Sequence, residues 1–192
     1  SVALDLAQDV TGALSDRTAL VVGAGAMSSL SLQTLANRGV SDITVASRTT
    51  ASTKRAADLS GATPIGMDEL PGALQKADVI VSATGANGVV ITAEDIATAM
   101  SGRPDRALVV VDLALPHDTE PEVGAIRSVT RIDLADLAHA PGAAASQSDL
   151  DVARTLIDDE VRAFLADQAA QRVEPIVVSL RAPAMSATLP CP

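Results

Sequence analysis

The sequence predicts an α/β domain: a doubly wound parallel sheet of the Rossmann type, with flanking N- and C-terminal helices. Three observations carry that expectation. Short apolar runs alternate with helical patterns in the succession β-α-β-α-β-α-β-α-β…β. The first run, Ala19-Leu20-Val21-Val22, passes directly into a glycine turn, Gly23-Ala24-Gly25-Ala26, and then into a helical stretch from Met27 to Arg38. The chain is 47% hydrophobic, yet it holds one Phe, no Trp and no Tyr. Such a composition suits short aliphatic strands buried between two layers of helices.

The elements follow in order. Val2, Leu6 and Val10 recur every four residues and predict one apolar helix face over residues 1–14, stopped by Gly12 and Ser15-Asp16. A helix so short is marginal alone, so it packs on the domain or continues from an N-terminal part; the chain opens as if in mid-helix, as a piece of a longer protein would. The first strand is Thr18–Val22, and Gly39 stops the helix that follows it. The second strand is Asp42–Ala46, with a helix over 51–59 closed by Gly61. A short strand at 62–65, a short helix at 68–75 and a strand at 78–83 come next. Thr92 caps a helix over 93–100, with Asp95 three residues on in a near capping box. Residues 107–112 form the fifth strand, 129–132 the sixth, and 134–137 a short helix. The expected strand order is 3-2-1-4-5-6. Residues 141–146 read as a linker, and Ser148 caps a long helix to residue 171. Leu150, Ala153, Ile157, Val161, Phe164 and Leu165 form its apolar stripe, which packs on the domain or faces a partner chain. The proline-bearing end, 183–192, reads as a disordered tail.

The glycine turn is the centre of the functional argument. Gly23 lets the backbone turn tightly, and Gly25, without a Cβ, lets a diphosphate approach the main chain. The amide N–H groups and dipole of the following helix then hold negative charge. Ser28 stands where the G-x-G-x-x-G pattern has its third glycine, and it is small enough for close helix–strand packing. The second strand ends in Ser47-Arg48-Thr49-Thr50, where an NAD-binding domain usually places an acid for the ribose hydroxyls. Arg48 as a planar fork, Ser47 and Thr49 as donors, and Lys54 on the next helix suit a 2′-phosphate, hence NADPH rather than NADH. Thr84, Gly85 and Ala86 leave the fourth strand beside the expected cleft, on the nicotinamide side.

Other chemistries find little support. A net charge of −10 disfavours nucleic acid as a direct partner of this chain, and there is no aromatic platform for bases. The single cysteine, Cys191, excludes a disulfide framework and a cysteine metal site. No apolar run reaches membrane-spanning length and no secretory leader opens the chain, so a cytoplasmic protein is expected. His117, in the loop after the fifth strand, and His139 read as structural or surface residues. Asp112 is expected to orient its loop by accepting backbone N–H bonds, with a contact to the nicotinamide ribose as the alternative. No catalytic residue and no metal site is assigned.

Gly23-Ala24-Gly25-Ala26-Met27-Ser28, Ser47-Arg48-Thr49, the run from Ala77 to Gly85, and Val111-Asp112-Leu113-Ala114-Leu115-Pro116-His117-Asp118 together resemble the glutamyl-tRNA reductase family. Asp159-Glu160-Val161 and Glu174-Pro175-Ile176-Val177 fit the same family, and the match covers residues 1–181. The resemblance implies NADPH-dependent reduction of glutamyl-tRNA to glutamate-1-semialdehyde, the committed step of C5-pathway tetrapyrrole synthesis. It implies that an N-terminal domain outside this chain supplies the cysteine nucleophile and recognises the tRNA, so this chain alone is inactive. Residues 1–14 then correspond to the end of a spinal helix and 15–140 to the NADPH-binding domain. Residues 141–182 correspond to the start of a dimerisation region, giving a homodimer through the 148–171 helix, and the tail 183–192 departs from the family. Gly23, Gly25, Ala26 and Met27 take the pyrophosphate role, Ser47, Arg48 and Thr49 the adenosine end, and Thr84, Gly85 and Ala86 the middle and nicotinamide side. Two alternatives stand beside it. One is a shikimate dehydrogenase-like NADP oxidoreductase domain, which shares an N-R-T-like end to the second strand. The other is a non-enzymatic nucleotide-binding or interaction module.

Overall fold

A computed structural model of the chain describes residues 1–103, 105–140 and 161–162. Six strands form one parallel sheet: β1 (Thr18–Val22), β2 (Asp42–Ala46), β3 (Thr63–Ile65), β4 (Val79–Ser82), β5 (Leu108–Asp112) and β6 (Val129–Asp133). Their order is β3-β2-β1-β4-β5-β6, as the sequence predicts for two mononucleotide-binding halves meeting at β1 and β4. The helices are α1 (Val2–Thr11), α2 (Ala26–Asn37), α3 (Thr50–Ser60), α4 (Leu70–Lys76), α5 (Ala93–Ser101) and α6 (Leu134–His139).

The central strands are aliphatic because both of their faces are covered. Every residue of β4 and β5 is buried. Alternation splits the core in two. Val21, Val81 and Val111 face α1, α2 and α3 through Leu4, Leu32, Leu35 and Ala56. Leu20, Val22, Ile80 and Val110 face α4 and α5 through Leu70, Leu74, Ile96 and Met100. The register brings Val22 beside Ala46 and Ser82, and Ser82 beside Asp112. The carboxyl ends of β1, β2, β4 and β5 therefore lie level along one edge, where loops can form a cleft.

Some details differ from the sequence expectation. The buried face of α1 is Ala3, Leu4, Ala7 and Thr11, while Val10 is 41% exposed. Small alanines let α1 lie close against the sheet, so size outranks the four-residue spacing of Val2, Leu6 and Val10. The helix expected over 68–75 opens as a 3₁₀ turn, Met67–Glu69, and becomes α-helical at Leu70. A second 3₁₀ segment, Pro121–Ala125, buries Val123 and was without periodic signal. The Thr92–Asp95 capping box forms as expected. Among the described residues no helix is long and apolar enough to cross a membrane. The linker at 141–146, most of the helix at 148–171, the tail and Cys191 lie outside the described residues.

Candidate functional site

The turn after β1 is fixed by contacts that exclude a side chain. Gly23 has φ +116°, and its N–H donates to the Ala46 carbonyl at 2.7 Å. A Cβ placed there would lie 2.4 Å from the Ala83 oxygen and 2.7 Å from Ser28 Oγ. Buried Ser28 donates its hydroxyl to that same Ala83 carbonyl at 3.1 Å, so α2 is bonded to the end of β4. Ser28 thus gives the close packing expected of the third glycine.

Gly25 is different. It is the residue before α2, with φ −85° and ψ −171°, a conformation open to any amino acid. A Cβ there would meet nothing within 4 Å. The first turn of α2 has neither a side-chain cap nor an acidic residue. Its N–H groups are left for an outside acceptor, and an anion is the natural one. Nothing among the described residues requires glycine at position 25; a ligand passing over the main chain would.

These groups open onto a crevice of about 520 Å³. Gly23, Ala24 and Gly25 form its floor. Ser47, Arg48, Thr49 and Ser52 form one wall, with Met67 beside them. Thr84, Ala86 and the stretch 87–90 form the other. Arg48 is exposed, makes no ion pair among the described residues, and is the one charged side chain lining the crevice. Ser47 is already engaged: its hydroxyl is 2.6 Å from Thr53 Oγ1 and 3.3 Å from the Thr49 carbonyl. Lys54 is exposed on α3 and does not line the crevice, nor do Ala26, Met27 and Gly85. Met27, 48% exposed, instead borders a smaller groove with Leu4 and Leu30. Ser52, Met67 and residues 87–90 escaped the sequence argument. Ser52 is in the first turn of α3, four residues beyond Arg48; Met67 opens the 3₁₀ turn after β3, which no local pattern ties to the crevice.

Two buried carboxylates stand behind the second wall. Asp112 accepts from the N–H groups of Ala114 at 3.0 Å and Thr119 at 2.9 Å, and from the Thr119 hydroxyl at 2.7 Å. It orients its loop, as the sequence predicts. His117 Nδ1 lies 3.6 Å from Asp112 on a side chain 43% exposed, outside the crevice. His139 bonds the Ala135 carbonyl within α6. Asp118, wholly buried, accepts from the Ser82 hydroxyl and the Thr84 N–H, each at 2.8 Å, and from the Thr84 hydroxyl.

A third buried carboxylate, Asp78, lies at the other edge of the sheet. It accepts from the Thr18 N–H at 3.1 Å, Arg103 at 3.1 Å and Arg106. Burial alone would raise its pKa. The Arg106 hydrogen bond, the Thr18 N–H and the charges of Arg106 and Arg103 outweigh burial and hold the carboxyl below its ordinary value. Among the described residues no three His, Cys, Asp or Glu side chains could hold a metal.

A parallel sheet in this order, with a glycine cradle facing an uncapped helix start, defines a dinucleotide-binding domain of the Rossmann type. The chain belongs to the shikimate / quinate 5-dehydrogenase family, whose pattern matches residues 5–140. Its sequence is 41% identical over 173 residues to a glutamyl-tRNA reductase from Frankia alni, covering 90% of this chain and 37% of that protein. It is 42% identical over 182 residues to one from Kineococcus radiotolerans, covering 95% of this chain and 41% of that protein. Among solved structures it resembles glutamyl-tRNA reductase from Methanopyrus kandleri, with a TM-score of 0.68 and 32% identity over 93% of this chain and 43% of that one. The chain thus spans about two fifths of the length of these relatives. The resemblance read from the motifs extends over nearly the whole chain. Family and fold together imply a nicotinamide dinucleotide cofactor.

Proposed function

We propose that this chain is the NADPH-binding part of a glutamyl-tRNA reductase, acting in tetrapyrrole synthesis. The observation that carries the cofactor choice is charge. In a chain of net charge −10, the crevice is lined, among the described residues, by one cation, Arg48, and by no carboxylate. An NAD site is expected to offer an acid to the ribose hydroxyls; a 2′-phosphate needs the reverse. In this assignment the α2 N-terminus and Gly25 hold the diphosphate and Arg48 holds the 2′-phosphate. The wall from Thr84 to Val90 shapes the nicotinamide side. Bound NADPH would supply a hydride. The groups that carry glutamyl-tRNA, including a nucleophilic cysteine, belong to a preceding domain of the whole protein. A homodimer through the 148–171 helix and a cytoplasmic location complete the proposal. The family match favours a second reading, a shikimate-oxidising NADP domain, but sequence similarity at about two-fifths identity lies with the glutamyl-tRNA reductases.

Titration of the chain with NADPH and NADH tests this. Saturable NADPH binding is expected, with NADH weaker by about tenfold or more, the worth of a lost charge-assisted contact. Arg48→Ala should abolish the preference by weakening NADPH alone. Equal binding of the two cofactors, or an equal loss of both in Arg48→Ala, overturns the 2′-phosphate assignment. NADP⁺-dependent oxidation of shikimate would instead support the second reading.

A further inference from the structure

One buried residue holds both ends of the crevice wall that runs from Thr84 to Val90, one with its side chain and the other with its main chain. The Asp118 carboxylate takes the start: Ser82 Oγ, Thr84 N–H and Thr84 Oγ1 all donate to it. The Asp118 main-chain carbonyl takes the end, accepting from Val90 N–H at 2.7 Å and Ile91 N–H at 3.0 Å. Thr84 passes the constraint inward, since its hydroxyl also accepts from the Ala86 N–H at 3.1 Å. Asp118 is in turn fixed from behind, its own N–H directed at Asp112 Oδ1 at 3.4 Å and its neighbour Thr119 bridged to Ile91. Asp118 does not line the crevice. We infer that Asp118 is a positioning residue that sets the wall for the nicotinamide half of the dinucleotide, and leaves the adenosine half to the Ser47–Thr49 side. The inference rests on the dinucleotide reading of the crevice.

The chemistry explains why an acid serves here. Its partners Ser82 Oγ, Thr84 N–H and Thr84 Oγ1 donate to it, and a carboxylate offers an acceptor at both oxygens. An amide in its place keeps one acceptor oxygen for the Thr84 N–H and the Ser82 hydroxyl, but it turns an NH₂ on Thr84 Oγ1, which must then give up its own donation, and the charge-assisted bonds are lost. A wall anchored at both ends also loses little freedom when a ligand arrives, so less of the binding energy goes into ordering it.

Asp118→Asn separates this role from a general loss of stability. The full chain is titrated with NADPH, read by its fluorescence, and with adenosine 2′,5′-bisphosphate, which carries only the adenosine end. Asp118→Asn should weaken NADPH by about tenfold, as for loss of a charged hydrogen-bond partner, and leave the bisphosphate within about twofold. Ser82→Ala removes one donor without touching the crevice and should give the same pattern at about threefold; it carries the test if Asp118→Asn does not fold. Equal losses for both ligands, or no loss for either, overturn the inference. A wild-type chain that binds neither ligand defeats the dinucleotide reading, and this inference with it.

Discussion

At the amino edge of the sheet, Asp78 is gripped by two arginines, Arg103 and Arg106, and its side chain is 1% exposed. At the carboxyl edge, Asp118 is equally buried, yet its partners are two hydroxyls and a backbone N–H. Asp112 beside it also relies on N–H and hydroxyl donors, with Arg131 at 3.6 Å. The contrast follows from what each edge does. At the amino edge fixed charge pairs tie the starts of β4 and β5 together. The carboxyl edge carries the crevice proposed for the dinucleotide. Neutral donors satisfy Asp118 there, so Arg48, which makes no ion pair among the described residues, and the N–H groups of α2 stay available to an incoming anion.

The contrast can be broken most forcefully at Asp78. Asp78→Asn leaves two guanidinium groups facing a neutral amide and should cost about 3 kcal/mol or more, the range for breaking a buried pair. Urea unfolding would show it, while NADPH affinity under folding conditions stays unchanged. Gly23→Ala comes next. Its φ of +116° and the 2.4 Å approach to the Ala83 oxygen should lower stability by about 2 kcal/mol, from backbone strain and the clash together.

Acid sharpens the same comparison. Asp78 has a folded pKa below its ordinary 3.8, so it stabilises the fold fully above that value and loses the contribution as pH falls through the lower folded value. Melting midpoints of the wild type should therefore drop steeply below about pH 4, and those of Asp78→Asn less steeply. At the small end is the surface pair of Asp5 and Arg38 at 2.6 Å, with Asp5 60% exposed. Asp5→Asn should leave the melting midpoint unchanged at physiological salt, since exposed pairs are screened.

The two edges also differ in how much of them the sequence revealed. The carboxyl edge was legible because its parts are local. Gly23, Gly25 and Ser28 lie within one turn, and Ser47-Arg48-Thr49 end one strand. Asp112 reads from the sequence as orienting its loop, whereas Asp118, at the end of the same short motif, carries no role there because its partners Ser82 and Thr84 lie on another strand and its exit loop. The amino edge was not legible. Asp78 and Arg103 are 25 residues apart and Arg106 is 28, and they meet only because β4 and β5 are neighbours in the sheet. The face of α1 was misread for a related reason: spacing marks amphipathicity, but the sheet selected the small residues Ala3 and Ala7 for close approach. Met67 joined the crevice from a 3₁₀ turn too short to carry a periodic pattern.

The most direct test is Gly25→Ala, because position 25 has space for a methyl group and a backbone conformation that alanine accepts. Melting and NADPH titration of the variant, side by side with the wild type, should give an unchanged midpoint and a loss of NADPH affinity of about tenfold or more, since the methyl occupies the diphosphate's path. NADPH binding as tight as in the wild type would contradict the account, because the diphosphate would then not lie over Gly25.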